Sequence, residues 1–447
     1  MLEKMERTLI LDCTKKKSGD PVKIYGYVIT RRDHGKLVFL DIMDRSGTIQ
    51  VLAPGGDANV SDLRPQFVVS IEGAVFERPE HLRNDKIPTG NIEIQPNKNG
   101  IEVLSKAAEL PFDMGGKDLD LQLPTLLDFR SLTLRHPKIK AIFKVQASIL
   151  EGFRKAAKEL GCTEIVVPTI VAGATEGGAQ VFKIDYFEHK AYLSQSPQLY
   201  KQMLVPVFER VFTIAKAYRA EPSVTTRHLT ESTQLDVEMG FVEFEDLLDG
   251  LEEVATRMLK IAEEEQAKIL KEFGVEKIAF GKIPRVSLRE AQEVILKEFN
   301  RDNRKEKDLT PQDEIDLCSW AKEKYQSDFV TITHFPTSAK PFYTKPDPKD
   351  PEYSLSYDLL FRGVEILSGS QRINDYQQLM ESIKSRGMNP ENFELYLQAF
   401  KYGMPPEGGF SFGLERVTMH VLNLANVRQA SLFPRDMERV DIRLKQK

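Results

Sequence analysis

Three observations in the sequence predict an α+β protein, a small β-barrel followed by a larger domain of sheet and flanking helices. The chain has 447 residues, enough for two or three domains at roughly 100–200 residues each. Residues up to about 110 alternate apolar and polar at a period of two, with little helical signal. Beyond residue 136, stretches with helical spacing interleave with strand-like ones. The expected division is therefore a β-domain over 1–110, a hinge over 111–136 and the large domain over 137–447.

The first strands are Val22–Ile29, Leu37–Ile42, Thr48–Leu52, Phe67–Val75 and Ile101–Leu104, with Asp44-Arg-Ser-Gly47 as a tight turn. Short strands at this spacing suggest a small barrel. From Pro111 the pattern breaks up around Gly115-Gly116, as a connector does. A helix is expected from about Pro137 to Leu160, stopped by Gly161. A long amphipathic helix follows over 246–273, with Leu248, Leu251, Val254, Met258 and Ile261 at helical spacing. The stretch 283–327, around the charge run 300–307, is expected to be a solvated surface insertion. Helices over 375–386 and 390–402 and a closing helix over 413–424 complete the order.

The formal charge of −5 argues against a nucleic-acid-coating role, though a local basic face remains compatible with RNA. A 41% hydrophobic and 29% charged composition is that of a globular protein with sizeable cores. The start has early charge and no apolar core of a secretory signal, and no apolar run reaches 18 residues. Cys13, Cys162 and Cys318 are scattered and odd in number, which makes neither a disulfide framework nor a zinc site. A cytoplasmic, thiol-reduced protein without a membrane span is expected.

Neither a P-loop, a dinucleotide fingerprint nor H-E-x-x-H occurs. Polar residues instead recur in segments otherwise built as buried strands. Arg219 and Glu221 close one apolar strand, and Asp236 and Glu238 share a face of the returning one. An ion-pair ladder would be the plainer account of that pair alone. A second strand-like, glycine-interrupted stretch from Tyr357 to Arg372 carries Asp358, Glu365, Ser368 and Arg372, hard oxygens of the kind that suit Mg²⁺. In the third segment, Gly413-Leu-Glu-Arg416, a strand turns into a helix with Arg416 in its first turn, a place where a cation calls for an anionic partner. Together the segments would make a phosphate site without a P-loop.

These segments resemble the three signature motifs of class II aminoacyl-tRNA synthetases. Motif 1 corresponds to about 143–168, motif 2 to about 211–241 with Arg219, Glu221, Arg227 and His228, and motif 3 to about 408–424 with Gly413–Arg416. Ala174–Ala179, Gln195–Gln202, Thr226–Glu231, Gly369–Arg372 and Phe433–Asp436 resemble the aspartyl-tRNA synthetase family, in its short archaeal and eukaryotic form. The β-domain is similar to that family's OB-fold anticodon binder, and the remainder to its antiparallel-sheet catalytic domain.

The resemblance implies ATP-dependent ligation of L-aspartate to tRNA(Asp) through an aspartyl-adenylate, with tRNA(Asn) left open as a second acceptor. It implies ATP as substrate, Mg²⁺ and a homodimer. Arg219 and Arg416 would be catalytic. ATP would meet Arg219, Glu221, Arg227, His228, Glu365 and Arg416. Aspartate would meet Glu176, Gln195, Ser196, Gln198, Lys201, Asp236, Ser368 and Arg372. Asp358, Glu365 and Ser368 would hold the metal, while Arg32, Phe39, Gln50 and Glu93 would meet the anticodon. A paired Arg and Lys would select carboxylate over amide, because an amide leaves donors facing donors.

Four positions depart from the family pattern. Ser232 replaces a frequent aromatic, Glu407 follows Pro405-Pro406 where His is usual, Asn374 stands where His is common, and Ile29 where His or Trp is. An asparaginyl enzyme, a maker of free amino-acid amides and an inert RNA-binding relative are the competing expectations.

Overall fold

The computed structural model describes residues 6–55, 58–173, 180–220 and 225–444, with the backbone alone at 58 and 59. The chain divides into two compact units, Met1–Leu121 and Gln122–Lys447. In the first, β1 (Pro21–Asp33), β2 (Leu37–Met43), β3 (Thr48–Pro54), β4 (Val68–Glu77) and β5 (Ile92–Ser105) close into a barrel in the order β1-β2-β3-β5-β4. Alternation explains the closure: Val38, Leu40 and Ile42 point inward with Ile24, Val51, Val69 and Ile94, and their neighbours face out. β5 begins well before Ile101, the start expected from sequence, because the polar stretch Gln95–Gly100 interrupts its alternation.

The second unit carries β6 (Thr163–Glu164) and a three-stranded sheet of β7 (Ile170–Val171), β8 (Lys183–Tyr186) and β9 (His189–Leu193). Its main sheet adds β10 (Arg210–Tyr218), β11 (Glu231–Gly240), β12 (Arg285–Ser287), β13 (Phe329–Thr333), β14 (Ser356–Phe361), β15 (Val364–Gln371) and β16 (Glu407–Gly413). The order is β12-β13-β14-β15-β16-β11-β10-β6, antiparallel except at β12/β13 and β10/β6. Helices Pro137–Glu159 and Phe244–Glu272 cover one face and bury Phe153, Leu251 and Met258 against Phe212, Leu235 and Phe412. The two helices touch at Gly152, where a Cβ would lie 2.7 Å from the Met258 carbonyl oxygen.

The structure differs from the sequence expectations in three places. The segment Leu123–Thr133 forms two short helices inside the second unit, where a connector was expected. Its anchor is Arg130, buried and hydrogen-bonded to the carbonyls of Leu432 (2.8 Å) and Ser431 (2.6 Å). The block 283–327 is not a solvated insertion. Its helices Leu288–Phe299 and Pro311–Tyr325 bury Ile295, Leu317, Trp320 and Ala321 against Val330, Ile332 and Leu360. Only the intervening charge run is largely exposed, and it masked the apolar faces on either side. Lastly, Tyr357–Arg372 is a hairpin. Arg362 and Gly363 take φ of 47° and 84°, which turns β14 back onto β15.

Candidate active site

The face of the main sheet opposite the long helices lines a cleft of about 470 Å³. Arg219, Arg227, Glu365, Arg372 and Arg416, far apart in sequence, all border it, as do His228, Ser196, Gln198, Asp236 and Ser368. The sheet explains the convergence. Asp236 opposes Ser411 across β11/β16, and Ser411 opposes Ser368 across β16/β15, so one face runs through all three strands. Glu365 lies an odd number of residues from Ser368 and would face away on a regular strand. A bulge between the Leu359↔Leu367 and Leu360↔Glu365 pairs brings it round to the same cleft.

Two kinds of arginine border the cleft. Arg219 is exposed, and its guanidinium has no partner among the described residues. Arg416, in the first turn of the Leu414–Val421 helix, donates to the Glu365 carbonyl at 2.9 Å and stands 3.5 Å from that carboxylate. Arg227 pairs with Glu314 at 3.2 Å. Arg372 is saturated by comparison. Its Nε and Nη2 donate to Glu238 at 2.8 and 3.3 Å, Nη2 also to Gln198 (3.2 Å) and the Gly409 carbonyl (3.0 Å), and Nη1 to Ser370 (2.6 Å).

Lys201 does not border the cleft. It lies behind it, 1% exposed, with its ammonium 2.8 Å from Asp236 and 3.0 Å from Glu238. Burial pushes the Glu238 carboxyl up, but Arg372 and Lys201 outweigh burial and hold it at about 2. Asp236 is raised by burial, with Lys201 pulling the other way. Gly409 makes room for this cluster, since a Cβ there would fall 2.3 Å from Glu238 Oε2. Gln195 is buried with its side-chain oxygen unpartnered among the described residues.

Asp358 sits opposite Ser368 and receives the Lys340 ammonium at 3.1 and 3.2 Å. Burial and the Asp358 carboxylate raise Glu365 to about 7, against the pull of Arg416 and Lys340. Among the described residues no three His, Cys, Asp or Glu side chains could hold a metal by themselves. Two carboxylates and a hydroxyl fit a hard cation that takes its remaining oxygens from a phosphate and water.

Glu176 and Glu221 lie outside the described residues. Ser232 borders the cleft opposite Ala217, and among the described residues no Phe or Trp does so. Asn374 donates to the Met404 carbonyl at 3.4 Å and is not at the cleft. Sequence reasoning missed Glu238 as the anchor of both cations, along with Lys340 and Glu314. Only Glu238 left a signal, the shared face with Asp236.

The barrel carries its own polar face. Cross-strand pairs Arg32↔Phe39, Asp41↔Gln50 and Gln50↔Glu93 place those side chains side by side. Arg32 is paired with Asp41 at 2.6 Å, and Gln50 donates to Glu93 at 3.0 Å. Phe39 is half-buried between inward-facing Val38 and Leu40, with the His34 ring at 5.4 Å.

The profile of the tRNA synthetases class II (D, K and N) family matches residues 122–437, and that of OB-fold nucleic acid binding domains matches 22–104. The chain is a class II tRNA synthetase of the D, K and N family. This synthetase is 42% identical to an aspartate–tRNA(Asp/Asn) ligase of Thermus thermophilus, over 97% of the chain and 99% of that protein. It is 39% identical to an aspartate–tRNA(Asp) ligase of Pyrococcus horikoshii, over 96% and 98%. Among solved structures, an asparaginyl-tRNA synthetase from Pyrococcus horikoshii complexed with asparaginyl-adenylate superposes with a TM-score of 0.88 at 31% identity, covering 98% of this chain and all of that one. No helix among the described residues is long and apolar enough to cross a membrane.

Proposed function

We propose that this synthetase ligates L-aspartate to tRNA in two ATP-dependent steps. One observation carries the reading: Arg219, Arg372 and Arg416 converge on a single cleft, with Lys201 behind it on the same Glu238 carboxylate that holds Arg372, within a chain 42% identical to an aspartate–tRNA ligase. The guanidinium of Arg219 would take the α-phosphate, and Arg416, with Arg227 and His228, the far end of ATP. Glu221 would meet the adenine amino group. Arg372 would meet the side-chain carboxylate, backed by Lys201, while Glu176, Gln195, Ser196, Gln198 and Asp236 would surround the ammonium. Asp358, Glu365 and Ser368 would hold Mg²⁺, which when bound offsets triphosphate charge.

In the first step an α-carboxylate oxygen of aspartate bonds to the α-phosphorus as the bridge to the β-phosphate breaks, and pyrophosphate leaves. The attacking carboxylate is already ionised, so no general base is needed. Positioning and charge neutralisation by Arg219 and Arg416 supply the acceleration. In the second step the terminal ribose hydroxyl of tRNA attacks the acyl carbon, AMP leaves, and the hydroxyl proton is released.

The barrel would read the anticodon. Phe39 supplies a stacking ring worth roughly 1–3 kcal/mol per base, flanked by Arg32, Gln50 and Glu93. Close relatives divide between tRNA(Asp) alone and both tRNA(Asp) and tRNA(Asn), and Ile29 gives no imidazole or indole to narrow the choice. We favour the dual acceptor. A homodimer is supported by Val166, 95% exposed, together with Val207, Phe208 and Phe241 near the β6 edge and the start of β10. Three free, buried cysteines suit the reducing cytoplasm. Charging of purified tRNA(Asp) and tRNA(Asn) transcripts tests the reading. Aspartylation of both is expected, and aspartylation of neither would overturn it.

A further inference from the structure

At and behind one end of the cleft, the described residues bring more carboxyl than cation. Lys201 and Arg372 bring two positive charges, against Asp236, Glu238 and Glu407, and none of the five residues is more than 4% exposed. Three ionised carboxylates would leave an uncompensated negative charge in a dry site, an expensive arrangement that proteins avoid by protonating one partner.

Geometry singles out that partner. Glu238 bonds both cations, and Asp236 holds Lys201 and accepts from the Ser411 hydroxyl at 3.1 Å. Glu407 touches neither cation through its side chain. Its Oε1 accepts from Gln202 Nε2 at 2.7 Å, and its Oε2 is buried without a donor among the described residues. The β11/β16 register pairs Glu238 with Gly409 and Gly240 with Glu407, which sets the Glu238 and Glu407 side chains diagonally beside each other on one face. A proton on Oε2 turns two facing acceptors into a hydrogen bond and brings the cluster to neutrality.

The surroundings agree. Around Glu407 stand Glu238 from β11, Arg372 at the end of β15, Tyr357 from β14 and Tyr396 from the Glu394–Lys401 helix. Tyr396 donates to Gln202 Oε1 at 3.1 Å, which fixes that amide with its NH₂ toward Glu407. Burial and the Glu238 charge raise Glu407 well above the usual carboxyl range, with Arg372 opposing.

We propose that Glu407 is a positioning residue: a neutral carboxylic acid that donates a hydrogen bond to the Glu238 carboxylate and so sets the charge of the subsite that receives the second carboxylate of the amino acid. The proposal rests on aspartate as the substrate. With the proton in place, Glu238 keeps Arg372 clamped, two cations balance two carboxylates, and one Nη1 hydrogen of Arg372 is left for the ligand. Without it, a third negative charge opposes a dicarboxylate but not an amide.

The test has two independent arms. In the first, the infrared difference spectrum between the wild-type protein and Glu407→Gln at pH 7 is recorded without substrate. A protonated-carboxyl C=O band is expected, and a difference showing only ionised carboxylate overturns the proposal. In the second, KM for aspartate is measured in ATP–pyrophosphate exchange. Glu407→Leu, which cannot donate, is expected to raise KM at least tenfold with a smaller loss in kcat, and Glu407→Gln to recover most of that loss. Equal losses in the two variants overturn the donor role. Should Glu407→Leu fail to fold, the infrared arm decides. Wild-type protein that exchanges with no aspartate would refute the substrate reading instead, and the infrared result would still judge the proton.

Discussion

Replacing Glu238 by Gln removes one charge from the most densely paired point of the molecule while keeping the shape. The wild-type carboxylate is fully buried and receives Arg372 at 2.8 Å and Lys201 at 3.0 Å. Its pKa is held at about 2, against an ordinary 4.5. The gap corresponds to roughly 3 kcal/mol of preference for the charged form in the folded state. That figure matches the roughly 3–5 kcal/mol expected when one partner of a buried pair is removed. For a unit of this size, about 2 °C per kcal/mol makes the expected fall in Tm at pH 7 about 6 °C. The sign of the pH dependence follows from the depressed pKa. The contribution is complete above about 4.5 and fades as pH falls toward 2. Calorimetry of both proteins from pH 7 downward should therefore show the deficit shrinking below pH 4.5. A deficit under about 2 °C at pH 7, or one that stays constant with pH, would refute the reasoning.

Arg219→Ala should lower aspartate-dependent exchange at least about a hundredfold, with Tm moved by no more than about 1 °C, since the side chain is exposed; retained exchange would remove Arg219 from the chemistry. Phe39→Ala should leave exchange intact while weakening tRNA charging by about tenfold, within the range for one stacked base; parallel loss of both activities would contradict the division of labour between the units. Val166→Asp places a charge on a 95% exposed apolar residue and should shift the protein to monomer in sedimentation velocity. An unchanged sedimentation coefficient, in a wild type that is itself dimeric, would exclude that edge from the interface.

Arg219, Arg372 and Arg416 were legible because each stands where a strand ends or turns into a helix, and a guanidinium there demands an anion. The barrel was legible for a similar reason, since a period of two over five short runs leaves few alternatives. Register was not. Nothing local to Ile366 announces the bulge that brings Glu365 beside Ser368, because register is settled by pairing with β14. Glu238 looked like one rung of a surface ladder, whereas it anchors two buried cations, one of them 134 residues away in the chain. Such burial is set by packing at long sequence separation. The block 283–327 misled through its charge run, although Thr310-Pro311 and Asp313 form a capping box that marks the start of a packed helix. Lys340 borders the cleft from a loop, and Glu314 holds Arg227 from the first turn of a helix, neither with a motif of its own.

The central claim is that one cleft activates a dicarboxylic amino acid with ATP. ATP–pyrophosphate exchange by the intact protein, with each of the common amino acids supplied singly, addresses it most directly. Exchange should rise far above background with aspartate alone, and asparagine should leave it at background. Exchange driven by asparagine, or by no amino acid at all, would contradict the account.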